Sequence, residues 1–263
     1  MPESLPCRIC ASATRSLGRL RVLARHDVGF HQCRGCGFAQ TDDPWWLDEA
    51  YSDAITATDL GLLARCRTMA RRVPAVLACT PALRLPVLDW GGGYGTLTRM
   101  LRDAGIDCHH HDPYCSNVHA RGFEGSLEDR DRWGAVLAIE VLEHLVDPWT
   151  FLRAAASRTD LLIATTAVVT EPAPPLDSWW YWAPEHGQHV SFYSARSLRR
   201  IAGELGMDYV PAGSLHVFAR GHHPALRALM RFSPLRRAAL AVRRPRGLLQ
   251  SDYADAVRRS MGG

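Results

Sequence analysis

Four cysteines have the spacing of metal ligands. Cys7 and Cys10 form one C-x2-C pair, Cys33 and Cys36 a second, with 22 residues between the pairs. Each pair can sit in a tight turn and aim two sulfurs at one ion. Four thiolates complete tetrahedral zinc and leave no open position for catalysis, so the site reads as structural Zn2+. Gly35 and Gly37 suit a sharp turn around the second pair. The stretch between the pairs holds Leu20, Val22, Leu23 and Val28, too few to build a core, so the metal is expected to supply folding energy. Cys66, Cys79, Cys108 and Cys115 lack the spacing and read as core thiols.

A second chemical feature is the loop Asp89-Trp90-Gly91-Gly92-Gly93-Tyr94-Gly95. It is not the dinucleotide pattern, because Thr96 takes the sixth position counted from Gly91, and the chain has no lysine for a phosphate-binding P-loop. What remains is an acid followed by alternating glycines. The acid would repel a pyrophosphate but can pair with an ammonium, and the glycines let a ligand approach the backbone. This favours a ligand with an amino-acid portion and an adenosine. Asp112 lies 23 residues after Asp89, where a carboxylate can accept ribose hydroxyls. In the run His109-His110-His111, the outer two point away from the middle one on a strand, which argues against a metal site. A third feature is the loop 179–194, which combines aromatic residues with Glu185, His186 and His189. Aromatic faces can stack on sugar or other rings, and polar tips orient them.

The elements that must position these groups alternate between strand and helix. Short buried strands are expected at 85–89, 106–111, 133–139 and 160–166, and helices at 58–79 (despite Pro74), 96–101, 148–157 and 194–205, the last capped by Ser194. Residues 207–210 and 215–219 read as a closing strand pair, and 223–245 and 251–260 as Arg-bearing amphipathic helices. The pattern predicts an α/β fold, an open sheet with helices on both faces, plus a small N-terminal zinc ribbon. The expected division is 1–40 metal module, 41–83 helical linker and lid, 84–220 main domain, and 221–263 basic extension.

Over residues 84–220 the chain resembles the class I S-adenosylmethionine-dependent methyltransferases, whose sheet is Rossmann-like. Asp89, Gly91, Gly93 and Gly95 fall on that family's first motif, Asp112 on its ribose-binding acid, and Ile139 to Pro148 on a "VLEH…dP" segment found in many small-molecule members. The resemblance implies S-adenosylmethionine as cofactor, with Leu127 or Glu128 near the adenine. The segment around His189 is similar to "HVSFYS" regions of glycan and natural-product methyltransferases, including zinc-bearing sugar C-methyltransferases. On that match His189 and His144 fall on active-site histidines, His186 on a tyrosine, Tyr51 on an N-terminal tyrosine, and Gln188 on a glutamate. An amide cannot take up a proton as a carboxylate can, which favours O- over C-methylation. The order of candidate bases is His189, His144, His186, then Glu185, since an imidazole near neutral pKa suits a hydroxyl acceptor. Glu143 reads as a surface or supporting residue.

The implied acceptor is a small molecule: a sugar, a glycan or a natural-product intermediate. The chain has 263 residues, 47% hydrophobic and 22% charged, which excludes a disordered or fibrous protein. It carries a formal +4, and residues 221–263 hold nine arginines against Asp252 and Asp255. Such a tail fits RNA, an anionic membrane surface or an acidic partner, so an RNA methyltransferase is the competing enzyme reading and a cofactor-binding scaffold the competing non-enzyme. The apolar face Leu229, Met230, Leu235, Leu240 and Val242 can dock on a core, a second copy or a membrane surface. No apolar run reads as a transmembrane span or signal peptide, so the expected location is cytoplasmic.

Overall fold

The computed structural model describes residues 5–52, 54–231 and 246–261. The N-terminal region forms β1 (Thr14–Val22), β2 (His26–Cys33), β3 (Ala39–Thr41) and a single helical turn, α1 (Leu47–Ala50). Helix α2 (Leu62–Leu77) follows and continues through Pro74. The main domain then alternates β4 (Val87–Trp90), α3 (Thr96–Asp103), β5 (Cys108–His111), β6 (Ala135–Ile139), α4 (Pro148–Arg158) and β7 (Leu161–Thr165). After a long aromatic segment come β8 (Ser191–Phe192), α5 (Ala195–Glu204), β9 (Asp208–Ala212), β10 (Leu215–Ala219) and α6 (Pro224–Arg231). Helix α7 (Leu249–Met261) is the last described element.

Six strands form the central sheet in the order β5-β4-β6-β7-β10-β9. The first four are parallel, and β10 returns antiparallel between β7 and β9. Strands β4, β6 and β7 read as near-continuous apolar runs because both faces are covered, whereas β5 at the edge carries three histidines. One face packs Leu88, Val136, Ala138 and Leu162 against Phe151 and Leu152 of α4 and Leu198 and Ile201 of α5. The other packs Val87, Leu137 and Ile163 against Val73 and Leu77 of α2 and Leu97 and Leu101 of α3. The order in which strands are added reverses between β4 and β6: β5 lies on one side of β4, and β6 and β7 on the other. This switch opens a crevice at the carboxyl ends of the strands.

The cysteine-bearing region is joined to the main domain by a second sheet, β1-β2-β3-β8. Its last strand comes from the segment after the aromatic loop, with Ala39 opposite Phe192 and Gln40 opposite Ser191. Val22, Val28 and Phe30 are buried with Tyr181, Trp182 and Phe192, while Cys7, Cys33, Cys36 and Phe38 belong to the same apolar cluster as Leu142 and Tyr193. The few apolar residues between the cysteine pairs therefore need no core of their own. Arg8 reinforces the joint, donating to the carbonyls of Val190 (3.0 Å), Thr41 and Asp42 (3.1 Å each).

At the C-terminal end, Leu226 and Met230 of α6 are buried in the cluster containing Val210 and Val217. Leu229 is also buried, whereas Leu235, Leu240 and Val242 lie outside the described residues. No described helix is long and apolar enough to cross a membrane.

Candidate active site at the switch point of the sheet

A cavity of about 1000 Å³ occupies the crevice. Its floor is the glycine loop between β4 and α3. Gly91 has φ +73°, and a Cβ there would stand 2.5 Å from Val141 Cγ2, so both backbone conformation and space demand glycine. Gly93 also has positive φ, and its N–H donates to Asp112 Oδ2 at 2.8 Å. Asp89, Gly91, Gly93 and Asp112 all line the cavity. Gly95 sits behind it as the N-cap of α3, with φ 79°.

Asp89, the penultimate residue of β4, is almost fully buried and accepts the Thr98 hydroxyl at 2.8 Å. Burial pushes its carboxyl up to about 6, although the Thr98 hydrogen bond pulls the other way. Asp112 is already engaged. Its Oδ1 accepts the N–H groups of Tyr114 and Cys115 at 2.8 Å each, and its Oδ2 that of Gly93. With two lone pairs per oxygen, one acceptor site remains, on Oδ2. Leu127 lines the cavity, and Glu128 is not among the lining residues. Cys66 and Cys115 also line it, and burial pushes the Cys66 thiol up to about 11, which keeps it protonated near neutral pH.

The far wall is built from the turn after β6 and from the aromatic segment. His144 and His189 stand with ring centroids 5.0 Å apart. His189 Nδ1–H donates to the Tyr181 carbonyl at 2.8 Å, which leaves the lone pair on Nε2. His144 Nδ1 shares a 3.0 Å hydrogen bond with the Tyr51 hydroxyl, so the N-terminal tyrosine does reach this wall. Burial lowers both imidazoles, His144 to about 4 and His189 well below its ordinary value; His186 presses further on His144, and His144 on His189. His186 lines the same wall, but its Nδ1 lone pair accepts the Gln188 N–H at 3.1 Å, leaving Nε2 as a donor. Gln188 uses its amide to donate to the Ala50 carbonyl at 2.8 Å. Glu185 is exposed at the rim. Of the tryptophans in 179–182, Trp180 lines the cavity and is 77% exposed, whereas Trp182 is buried beneath it.

Glu143 departs from its sequence reading. It is 0% exposed, on the single turn Leu142–His144, and lines the cavity. Its Oε1 accepts the Tyr181 hydroxyl at 2.6 Å, and its backbone carbonyl accepts the Val190 N–H. Burial and neighbouring Glu140 hold its carboxyl well above the usual range. Glu140 itself has φ 54°, in the left-handed region that costs a non-glycine residue, and its N–H donates to Thr165 Oγ1. The pattern around 139–148 carried no sign of this burial, because it arises from the aromatic segment folding over the turn.

The cysteines form a separate centre. The Sγ atoms of Cys7, Cys10, Cys33 and Cys36 lie within 4.8 Å of one another, with Cys7–Cys36 at 3.6 Å and Cys10–Cys33 at 3.4 Å. All four are free of disulfides. Backbone N–H groups of Ile9, Gly35 and Cys36 approach the sulfurs at 3.3–3.4 Å, an arrangement that supports negative charge on them. Four converging thiols with such donors fit a closed zinc site.

Residues 63–212 match a family model described as a methyltransferase domain. Among proteins, the chain is similar to the ubiquinone biosynthesis O-methyltransferase of Bradyrhizobium diazoefficiens, 31% identical over 140 residues, 46% of this chain and 54% of that protein. The chain thus spans about half the length of that relative. Among solved structures, an O-methyltransferase family protein from Burkholderia thailandensis aligns at TM-score 0.48 and 14% identity, covering 66% of this chain and 62% of the other. Human N-acetylserotonin methyltransferase in complex with S-adenosylmethionine aligns at TM-score 0.44 and 14% identity, covering 67% and 66%.

Proposed function

This chain belongs to the methyltransferase-domain family, and we propose that it transfers a methyl group from S-adenosylmethionine to a hydroxyl of a small molecule: a sugar, a glycan or a natural-product intermediate. The observation that carries this reading is the convergence, in one cavity, of the Asp89–Gly93 loop, Asp112 and the neutral imidazoles of His144 and His189. The residues fit the cofactor. The bare backbone at Gly91 and Gly93 leaves room for close approach, Asp89 and Glu140 offer negative charge to an ammonium, and the remaining Oδ2 lone pair of Asp112 suits one ribose hydroxyl. When bound, the cofactor supplies an electrophilic methyl group on a sulfonium.

The chain's own task is then alignment, exclusion of water and handling of one proton. Residues 54–62 and the aromatic segment wall the cavity and limit the water that reaches the reacting atoms. His189, with Nδ1–H held by the Tyr181 carbonyl, presents Nε2 to the acceptor's hydroxyl proton, and His144 stands beside it. Among the described lining residues, eight acidic side chains face the single arginine Arg65, which is itself paired with Asp59. That balance suits a cationic cofactor and opposes a polyphosphate or RNA strand in the cavity.

The Cys7–Cys10–Cys33–Cys36 centre would hold Zn2+ as a structural joint, remote from methyl transfer in its role.

The test is isothermal titration of zinc-loaded protein with S-adenosylmethionine, repeated on Asp89→Ala. Micromolar binding that weakens at least about tenfold in the variant supports the reading. Absence of binding in folded, metal-replete protein overturns it.

A further inference from the structure

Glu143, His144 and His189 each offer a ligand atom, and the three lie within 4.8 Å of one another. Two independent features of this cluster call for a ligand. Glu143 Oε2 is buried and has no hydrogen-bond partner, although such an atom ordinarily has one. His189 is turned by the Tyr181 carbonyl so that Nε2, not Nδ1, carries the free lone pair. No described group donates a hydrogen bond to Glu143 Oε2, and the His189 Nε2 lone pair faces the same cluster. Both are satisfied by a cation.

We propose that Glu143, His144 and His189 form a second metal centre, which binds a divalent transition-metal ion and keeps an open position toward the acceptor. Two histidines and one carboxylate are a recurrent set for zinc or iron(II) with open coordination sites. The supporting contacts are in place. Tyr181 donates its hydroxyl to Glu143 and offers its carbonyl to His189, and Tyr51 bonds to His144. The excess of acidic side chains in the cavity favours any cation there.

The use of this centre rests on the methyl-transfer reading; its existence does not. With the ion bound, a hydroxyl oxygen on the open position would ionise more readily and His189 Nε2 would serve as a ligand; its role as base, given above, belongs to the metal-free protein. The O–H bond breaks and the proton passes to water. The oxygen then forms the new O–CH3 bond, the S–CH3 bond breaks, and sulfur keeps the electron pair. Acceptors able to present a second oxygen to the same ion, such as vicinal diols or hydroxyketones, are favoured.

The experiment titrates Co2+ into protein whose cysteine centre already holds zinc. The expected result is one further metal per chain, with visible d–d bands and no sulfur-to-cobalt charge-transfer band. Glu143→Gln and His189→Asn should each weaken this binding at least tenfold while the cysteine-bound zinc stays. Imidazole N–H resonances shifted by cobalt in the unmodified protein give a second readout that needs no variant. No binding beyond the zinc, or equal binding in both variants, overturns the proposal. S-adenosylmethionine titration of the same samples separates the two readings: its loss with cobalt binding intact removes methyl transfer but not the metal centre.

Discussion

Asp89 combines near-complete burial with a carboxyl pushed up to about 6. Its ordinary value is near 3.8, so between about 4 and 6 the folded state holds a proton that the unfolded state has released. Folding stability contributed by this group is therefore greatest below about pH 4 and falls as pH rises to about 6, by roughly 3 kcal/mol. Urea unfolding of Asp89→Asn across that range should show the fall flattened. Cofactor affinity should run the other way. A carboxylate pairs with an ammonium and a carboxylic acid does not, so affinity in the unmodified protein should drop below about pH 6, and calorimetry of Asp89→Asn should lose that pH dependence. The glycine loop and this acid were legible because their signal lies in adjacent residues. The engagement of Asp112 was not, since its three donors are set by how Gly93, Tyr114 and Cys115 fold around it.

Helix α5 shows how one element serves two centres. Ser194 caps it, accepting the Ser197 N–H at 3.0 Å, and its own hydroxyl donates to the Cys36 carbonyl at 2.7 Å. Ser194→Ala should cost about 1–2 kcal/mol by loss of the cap, read as a lower urea midpoint with unchanged slope. The cap was readable from sequence, but its link across 158 residues to a cysteine turn was not. The β1-β2-β3-β8 sheet makes the reverse connection, because β8 follows directly on His189 and Val190. Cys36→Ser, or chelation of the zinc proposed for this centre, should therefore disturb more than the N-terminal region. Hydrogen exchange should rise in β8 and the aromatic segment as well as in β1 and β2, and the thermal midpoint should fall. Exchange confined to residues 5–41 would contradict the shared sheet.

At the scale of the molecule, the last helix is held by a buried ion pair. Arg102 of α3 donates through Nε and Nη2 to Asp252 of α7 at 2.9 and 2.8 Å, and through Nη1 to Asp107 at 2.7 Å. Its guanidinium also lies 3.6 Å from the Phe123 ring centroid. Segment 123–125 covers the outer edge of β5, with the His110 N–H donating to the Phe123 carbonyl, so α7, this segment and the sheet edge meet at one arginine. Asp252→Ala leaves that buried cation without its main partner and should cost about 3–5 kcal/mol in folding. The double variant Arg102→Met/Asp252→Leu should recover much of the loss, measured by denaturant unfolding. Part of the basic extension thus serves the fold: Asp252 is buried, and α6 places Leu226 and Met230 in the core.

By itself the sequence determined the two spaced cysteine pairs, the glycine loop, the alternation of strand and helix and the crowding of histidines after β7. Each of these is written in spacing over a few residues or in apolar runs of one element's length, and local sterics and solvation act on that scale. The tertiary structure alone decided that Glu143 is buried with one oxygen unpaired, that His186 spends its lone pair on Gln188, and that the cysteine region shares its sheet and core with the main domain. Those outcomes depend on which distant segments exclude water from a given group. A residue's neighbours in the chain carry no record of what folds over it, and burial is what turns an ordinary carboxylate or imidazole into a reactive one.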